Sequence, residues 1–279
     1  ERAVLEPILE NYKLSVTHFN NFLNVAEGGP REFLEKNLLR FPQPKPKPAK
    51  FGSAMHSALE SFYSEYQEQK QLPEQKRLLE LFEQELNKEE LVKDEFEDLL
   101  EKGRDSLSVY YKQKKEEFDQ DHIIEFSFRN QGVKLDQAHL RGKIDKMEQI
   151  DNDEYKVYDF KTGSPLKSWD GRSKYDKIKA WRYKNQLIFY KILVENSRKF
   201  GDKFNVNTGQ LEFLEPKDGE IKELSYNIST EDVQRVSKLA NIVYNKISNL
   251  DFPDISSYSE SVSGIEEFER DLLSEYIIS

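Results

Sequence analysis

The sequence predicts an α/β protein, a sheet with helices on its faces and a helical lobe in front. Three observations predict it. Apolar residues recur at helical spacing through most of residues 14–118. From residue 121 the texture changes to short β-rich runs parted by turn signals. Helical and strand-like segments then alternate up to residue 248. A chain of 279 residues can bury one large core or two modest ones. With 34% charged and 37% hydrophobic residues, it fits a soluble, helix-rich protein.

The elements follow in order. Residues 14–40 hold "SVTHFNNFL" and "PREFLEKNLLR". Ser15 or Thr17 can cap the first helix, Pro30 suits the first turn of the second, and "GGP" at 28–30 separates them. In "FPQPKPKPAK", prolines at 42, 44, 46 and 48 read as an extended, polyproline-like connector, with a Pro-rich docking peptide as the alternative. Over residues 51–70, Phe51, Met55, Leu59 and Phe62 share one helix face, and His56 sits at its border. Two more helices are expected near 74–87 and 91–118, their charge runs forming solvated faces. Residues 122–130, 139–150 and 154–162 read as a three-stranded meander, with "NQG" and "DND" as turn signals. Residues 183–196 are an amphipathic helix. "NTGQLEFLEP" and "EIKELSYNI" form a hairpin turning at Asp218-Gly219. Residues 229–248 are a last helix capped by Ser229 or Thr230. From Asp254 onward seven acids face one arginine, which suits a surface helix or frayed end better than a DNA mimic. The expected division is a helical lobe at 1–118, a core at 119–250 and an acidic tail at 251–279.

Composition excludes several chemistries. There is no cysteine, hence no disulfide, no Cys-ligated zinc and no iron–sulfur cluster held by this chain. The four histidines are too scattered for a zinc motif, and His18, His122 and His139 are assigned no role. A metal site here would lean on carboxylates and suit Mg²⁺ or Mn²⁺. No G-x-x-x-x-G-K-[ST] loop occurs, so no nucleotide cofactor is expected. No apolar run approaches a membrane span, nothing resembles a signal peptide, and the cytoplasm is the expected setting. The first residue is Glu, and the chain is expected to be part of something longer. Its net charge of −10 argues against a general nucleic-acid coat. Between Ser164 and Lys191, however, eight Lys/Arg stand against two acids.

The chemistry concentrates in "RGKIDKM" and "KVYDFKTG". Strand alternation puts Asp159 and Lys161 on one face and Phe160 on the other. A surface ion pair of that kind is worth only ~0–1 kcal/mol. The adjacent strand, however, carries Asp145, and a short turn could set it beside Asp159. Two carboxylates ~4 Å apart repel by about 4 kcal/mol at an effective dielectric of 20. A bridging divalent ion resolves that economically, and Lys161 could then orient or deprotonate an attacking water, or steady developing negative charge.

These residues resemble a known signature. "GKID" followed by "YDFKTG" is similar to the G-x-ID … D-x-K-TG pattern of the RecB-like branch of the PD-(D/E)xK nuclease superfamily. "GSAMH" (52–56) matches its upstream G-x-x-x-H, and "QLIFY" (186–190) its downstream Q-L-x-x-Y. "SVTHFNNFL" and "FLEKNLLR" resemble the opening helices of nuclease domains fused behind UvrD-like helicases. The match runs from about residue 14 to about 195. It implies a restriction-endonuclease-like core, a mixed sheet flanked by helices, behind the helical lobe. It implies Mg²⁺ held by His56, Asp145, Asp159 and the Phe160 carbonyl, with Lys161 positioning the water. Gln186 and Tyr190 would support the site or touch phosphate, and Glu125 is an additional candidate carboxylate. The implied reaction is hydrolysis of a DNA phosphodiester, exonucleolytic, beside a helicase motor in the same or a partner chain. The first motif acid follows Ile144 rather than proline, and the cysteines of some relatives are missing.

The basic segment 164–191 also carries Trp169, Trp181, Tyr175 and Tyr183. Cations interleaved with rings suit a single-stranded DNA path, with Trp169, Arg172, Lys174, Trp181 and Arg182 as contacts; a mobile loop balancing an acidic protein is the plainer alternative. Duplex ends are the other expected form of substrate. Two other functions stay open: a catalytically silent nuclease fold that binds DNA or a partner subunit, and a free-standing endonuclease.

Overall fold

The computed structural model describes residues 2–41, 43–201 and 203–278, and side chains among them from Leu5 to Glu275. Pro42, one of the connector prolines, lies outside them. The chain opens with α1 (Arg2–Leu9), α2 (Val16–Leu23) and α3 (Gly29–Phe33). Ser15 caps α2 by accepting the His18 N–H. Pro30 sits in the first turn of α3, which runs on through a wider turn to Leu38. The connector is shorter than the proline spacing indicates. Helix α4 (Lys47–Gln69) begins at Lys47 rather than Phe51, with Pro48 absorbed into its first turn, where a proline costs no hydrogen bond.

Helices α5 (Gln75–Leu86) and α6 (Lys93–Lys114) complete a lobe with its own core. Phe51, Met55, Leu59 and Phe62 of α4 bury against Phe82 and Leu107, and the cluster continues onto the sheet through Phe160 and Leu214. At ~1.5–3 kcal/mol for each large apolar side chain buried, this contact fixes the lobe on the sheet.

The sheet contains β1 (Ile123–Ser127), β4 (Lys143–Asp151), β5 (Glu154–Lys161), β6 (Asn205–Lys217) and β7 (Glu220–Asn227), in the order β1-β4-β5-β6-β7. All neighbours are antiparallel except β5 and β6, so the sheet is mixed. The meander is present with one correction. Residues 139–142 are not part of its middle strand. β2 (Lys134–Leu135) and β3 (Ala138–His139) pair separately, and the chain rejoins the sheet only after the Gly142 carbonyl accepts the Phe128 N–H at 2.8 Å.

The parallel step from β5 to β6 requires a crossover, and α7 (Lys174–Glu195) supplies it. This helix starts at Lys174, ahead of the apolar pattern, because Ser173 and Asp176 form a capping box. α8 (Thr230–Ser248) begins with the same device at Ser229 and Asp232. α9 (Val262–Ile278) takes most of the acidic tail. A second core joins Phe19 and Phe22 of α2, Leu187 and Phe189 of α7, Val243 of α8 and Phe268 of α9 to Met147, Val157 and Leu211 of the sheet. Among the described residues, no helix is long and apolar enough to cross a membrane.

Candidate active site

The sheet register builds the site. β1 and β4 pair Ile124 with Lys146 and Phe126 with Ile144, which sets Glu125 opposite Asp145. β4 and β5 pair Lys146 with Tyr158, and the next step sets Asp145 opposite Asp159. Three carboxylates thus occupy one row across three neighbouring strands. Glu125 holds its place at φ 52°, a left-handed conformation costing a non-glycine residue ~1–3 kcal/mol. The β1–β4 ladder omits it, which frees its side chain from the strand's ordinary alternation.

Asp145 and Asp159 are both buried. Asp145 Oδ2 accepts the Phe160 N–H at 2.7 Å, while Oδ1 lies 3.5 Å from His56 Nδ1. That same nitrogen is 3.4 Å from Glu125 Oε1, and His56 Nε2 is 3.1 Å from the Phe160 carbonyl oxygen. Burial alone would lower the His56 pKa. Attraction to Asp145 and hydrogen bonds to Asp145 and Glu125 outweigh it and raise the pKa to about 10. Burial and the repulsion of Asp159 push the Asp145 carboxyl up, with His56 offsetting part of that. Glu125 goes the other way. Burial would raise it, but His56 and Lys143 hold it below the usual carboxylate range.

α4 brings His56 across because Gly52, one turn earlier, lets it pass close to β5. A Cβ there would come within 3.0 Å of Thr162 Oγ1. Gly163, at φ 98°, turns the chain away from the site just after Lys161.

α7 serves Asp159 from the other side. Tyr190 donates its hydroxyl to Asp159 Oδ1 at 2.8 Å, and Gln186 Nε2 donates to the same oxygen at 2.5 Å. Gln186 Oε1 accepts from Lys161 Nζ at 2.7 Å. Spaced four apart, Gln186 and Tyr190 lie one above the other on the helix. Lys161 Nζ is 2.6 Å from Asp159 Oδ2 without hydrogen-bonding angles, and 4.4 Å from the centre of the Tyr183 ring.

The donor set fits a divalent cation. One ligand atom each from His56, Glu125 and Asp145 lies within 4.8 Å of the others. Glu125 Oε1 and Asp159 Oδ2 are buried, and each faces a single cationic nitrogen, His56 Nδ1 at 3.4 Å and Lys161 Nζ at 2.6 Å. Buried carboxylate charge is costly unless it is compensated. Oxygen donors with one imidazole and no sulfur suit a hard ion. Of the expected ligands, His56 and Asp145 converge, joined by Glu125. The Phe160 carbonyl lies 3.1 Å from His56 Nε2, and Asp159, opposite Asp145 in the register, stands outside the trio whose ligand atoms lie within 4.8 Å of one another.

Sequence reasoning missed Lys143, and it read Tyr183 only as a ring of the basic segment, not as the ring beside Lys161. Lys143 Nζ holds Glu125 Oε2 at 2.5 Å. Strand alternation was its available signal, since it lies two residues before Asp145. The nucleic-acid contacts divide. Arg172 and Lys174 are exposed. Trp169 is half-buried with its ring centre 5.2 Å from that of Tyr226. Trp181 is mostly buried and its Nε1 donates to Glu269 at 2.9 Å, while its ring lines the hollow beside Trp169. Arg182 is ion-paired with Glu27.

A family model described as PD-(D/E)XK nuclease superfamily matches residues 13–260. A crystal structure of a candidate exonuclease from Eubacterium rectale superposes with a TM-score of 0.54, covering 88% of this chain and 84% of that one. The two are 15% identical, a likeness of fold. No curated protein matches the chain.

Proposed function

The chain belongs to the PD-(D/E)XK nuclease superfamily, and from that premise we propose that it is a metal-dependent DNA nuclease domain, exonucleolytic, of the RecB-like branch. Its setting would be the cytoplasm, beside a helicase motor in the same or a partner chain, processing DNA ends in repair. The observation that carries the reading is the row of Glu125, Asp145 and Asp159, with His56 above it and Lys161 beside it.

His56, Asp145, Asp159, Glu125 and the Phe160 carbonyl would hold Mg²⁺ or Mn²⁺. When bound, the ion would polarise the scissile phosphate and stabilise the charge that accumulates on it. His56 must release its Nδ1 proton before that nitrogen can serve as a ligand, so ion binding and proton release are coupled. Lys161, steadied by Gln186 and the Tyr183 ring, holds the attacking water in line and meets the developing negative charge. Gln186 and Tyr190 fix Asp159 Oδ1, which keeps the other oxygen turned into the site.

The test is degradation of linear DNA in Mg²⁺ or Mn²⁺ by the wild-type chain, Asp159→Ala and Lys161→Ala. The wild type should shorten linear DNA and spare a covalently closed circle, and both variants should be inactive. Cutting of the circle would make the enzyme an endonuclease. Intact DNA at high enzyme in both metals would leave a silent module that binds DNA or a partner subunit.

A further inference from the structure

The loop between β5 and α7 separates two concavities of opposite character. One, of about 320 Å³, is lined by Lys167, Arg172 and Lys217, all exposed. Nearby lysines are matched to acids, Lys222 to Glu220 and Lys102 to Glu215. Lys167, Arg172 and Lys217 make no ion pair among the described residues. The acid in this hollow, Asp176, is committed to the α7 capping box with Ser173. The positive end of the α7 dipole adds to the same field. In a chain of net charge −10, three cations without acid partners around one hollow, against the single carboxylate of Asp176, make a local positive patch.

The other concavity, of about 500 Å³, lies across the loop and is walled by Trp169 and Tyr226. Lys184 Nζ stands 6.0 Å and 5.6 Å from the centres of those two rings. Its acids are largely engaged. Asp232 accepts from Tyr226, and Glu269 is shared by Trp181 and Arg235. Open Asp170 and Glu266 balance Lys177 and Lys184, so this hollow offers aromatic surface without excess positive charge. It suits a base, whereas the first suits a phosphate.

The loop also joins the catalytic centre. Lys179 donates to the Ser164 carbonyl at 2.6 Å and lies 5.7 Å from the Tyr183 ring, whose other cation is Lys161. From Gln186 to Lys174 the helix spans ~18 Å at 1.5 Å per residue, a few nucleotides of extended strand.

We infer that this loop is a saddle for single-stranded DNA, its phosphodiester seated among Lys167, Arg172 and Lys217 and a base stacked against Trp169 and Tyr226. The inference rests on the nuclease reading and names the strand form that the site receives.

Binding of fluorescein-labelled oligo(dT) to the full chain in EDTA, followed by anisotropy across a salt series, tests it. The variant Lys167→Gln/Arg172→Gln/Lys217→Gln should bind at least tenfold more weakly. Its salt slope should fall by about 0.7, for the one phosphate no longer neutralised. Trp169→Ala should weaken binding about fivefold or more at an unchanged slope, and Trp169→Tyr should restore most of it. A blunt duplex of equal length should compete poorly. Wild-type affinity and slope in the triple variant, equal competition by duplex, or no oligo(dT) binding by the wild type would each overturn the saddle. Cleavage by the wild type in Mn²⁺ is scored separately. Oligonucleotide binding that depends on the three cations, without cleavage, would overturn the nuclease reading and leave the saddle standing.

Discussion

Two groups of buried charge meet at β4, one residue out of step. Lys146, next to Asp145, is buried with its Nζ 3.1 Å from Glu212 Oε1 and 3.7 Å from the centre of the Tyr158 ring. The Tyr110 hydroxyl donates to the other oxygen of Glu212 at 2.9 Å, so both carboxylate oxygens are met. The group around Glu125, Asp145 and Asp159 stays open: Glu125 Oε1 and Asp159 Oδ2 each face only one cationic nitrogen, and the one imidazole is shared between two acids. Burial alone therefore does not mark a site. A closed network holds the lobe to the sheet; an open one reserves room for a cation.

Breaking the closed network should cost the most stability. Glu212→Ala leaves the Lys146 ammonium buried and uncompensated, a loss of about 3–5 kcal/mol. A urea melt should show it, and a loss under 1 kcal/mol would mean that Lys146 reaches water. Breaking the open one should cost activity instead. Asp145→Asn should lower cleavage about 10³-fold, in the range of a lost electrostatic stabiliser. It should leave the metal-free protein as stable as the wild type or more so, because a repelled buried charge is gone. It should also blunt the thermal shift that Mn²⁺ gives the wild type, worth about 2.7 kcal/mol at one hundred times Kd.

His18 is a third kind of buried group, kept neutral. Burial, with Arg141 and Arg40, lowers its pKa to about 4, and Tyr12 hydrogen-bonds its Nδ1 at 3.0 Å. The unfolded chain takes up this proton near pH 6.5 and the folded chain only near 4, so stability falls as pH drops through that window. The loss reaches about 3 kcal/mol. His18→Gln should flatten the difference when both proteins are melted from pH 7 to pH 4. The smallest effect belongs to Gln186→Ala, which frees Lys161 and removes one hydrogen bond to Asp159. About a tenfold rise in the Mn²⁺ Kd is expected, the lower end for a residue that orients a ligand. An unchanged Kd would assign Gln186 to packing.

Most of the elements were legible because periodicity and punctuation are local. The face of Phe51, Met55, Leu59 and Phe62 is buried as read, and the Asp218-Gly219 hairpin turns where expected. Boundaries went astray where a local signal was outweighed: Pro48 opens a helix rather than prolonging the connector, and a capping box extends α7 ahead of its apolar stripe. At the site, Asp145, Asp159 and Lys161 could be placed from alternation on adjacent strands. Glu125 could not, because its left-handed backbone departs from the alternation any strand pattern assumes. For Trp181, composition does not say which way a helix face turns; the rotation of α7 points its Nε1 at Glu269.

By itself the sequence determined the succession of helices and strands, the absence of sulfur ligands, and the spelling of a site built from acids, one histidine and one lysine. Those properties depend on residues near one another in the chain. Only the tertiary structure decided which carboxylate oxygens stay open to a cation and which buried charges are closed off. Hydrogen-bond satisfaction in a low-dielectric interior is settled by partners more than a hundred positions away, as with His56 and Phe160.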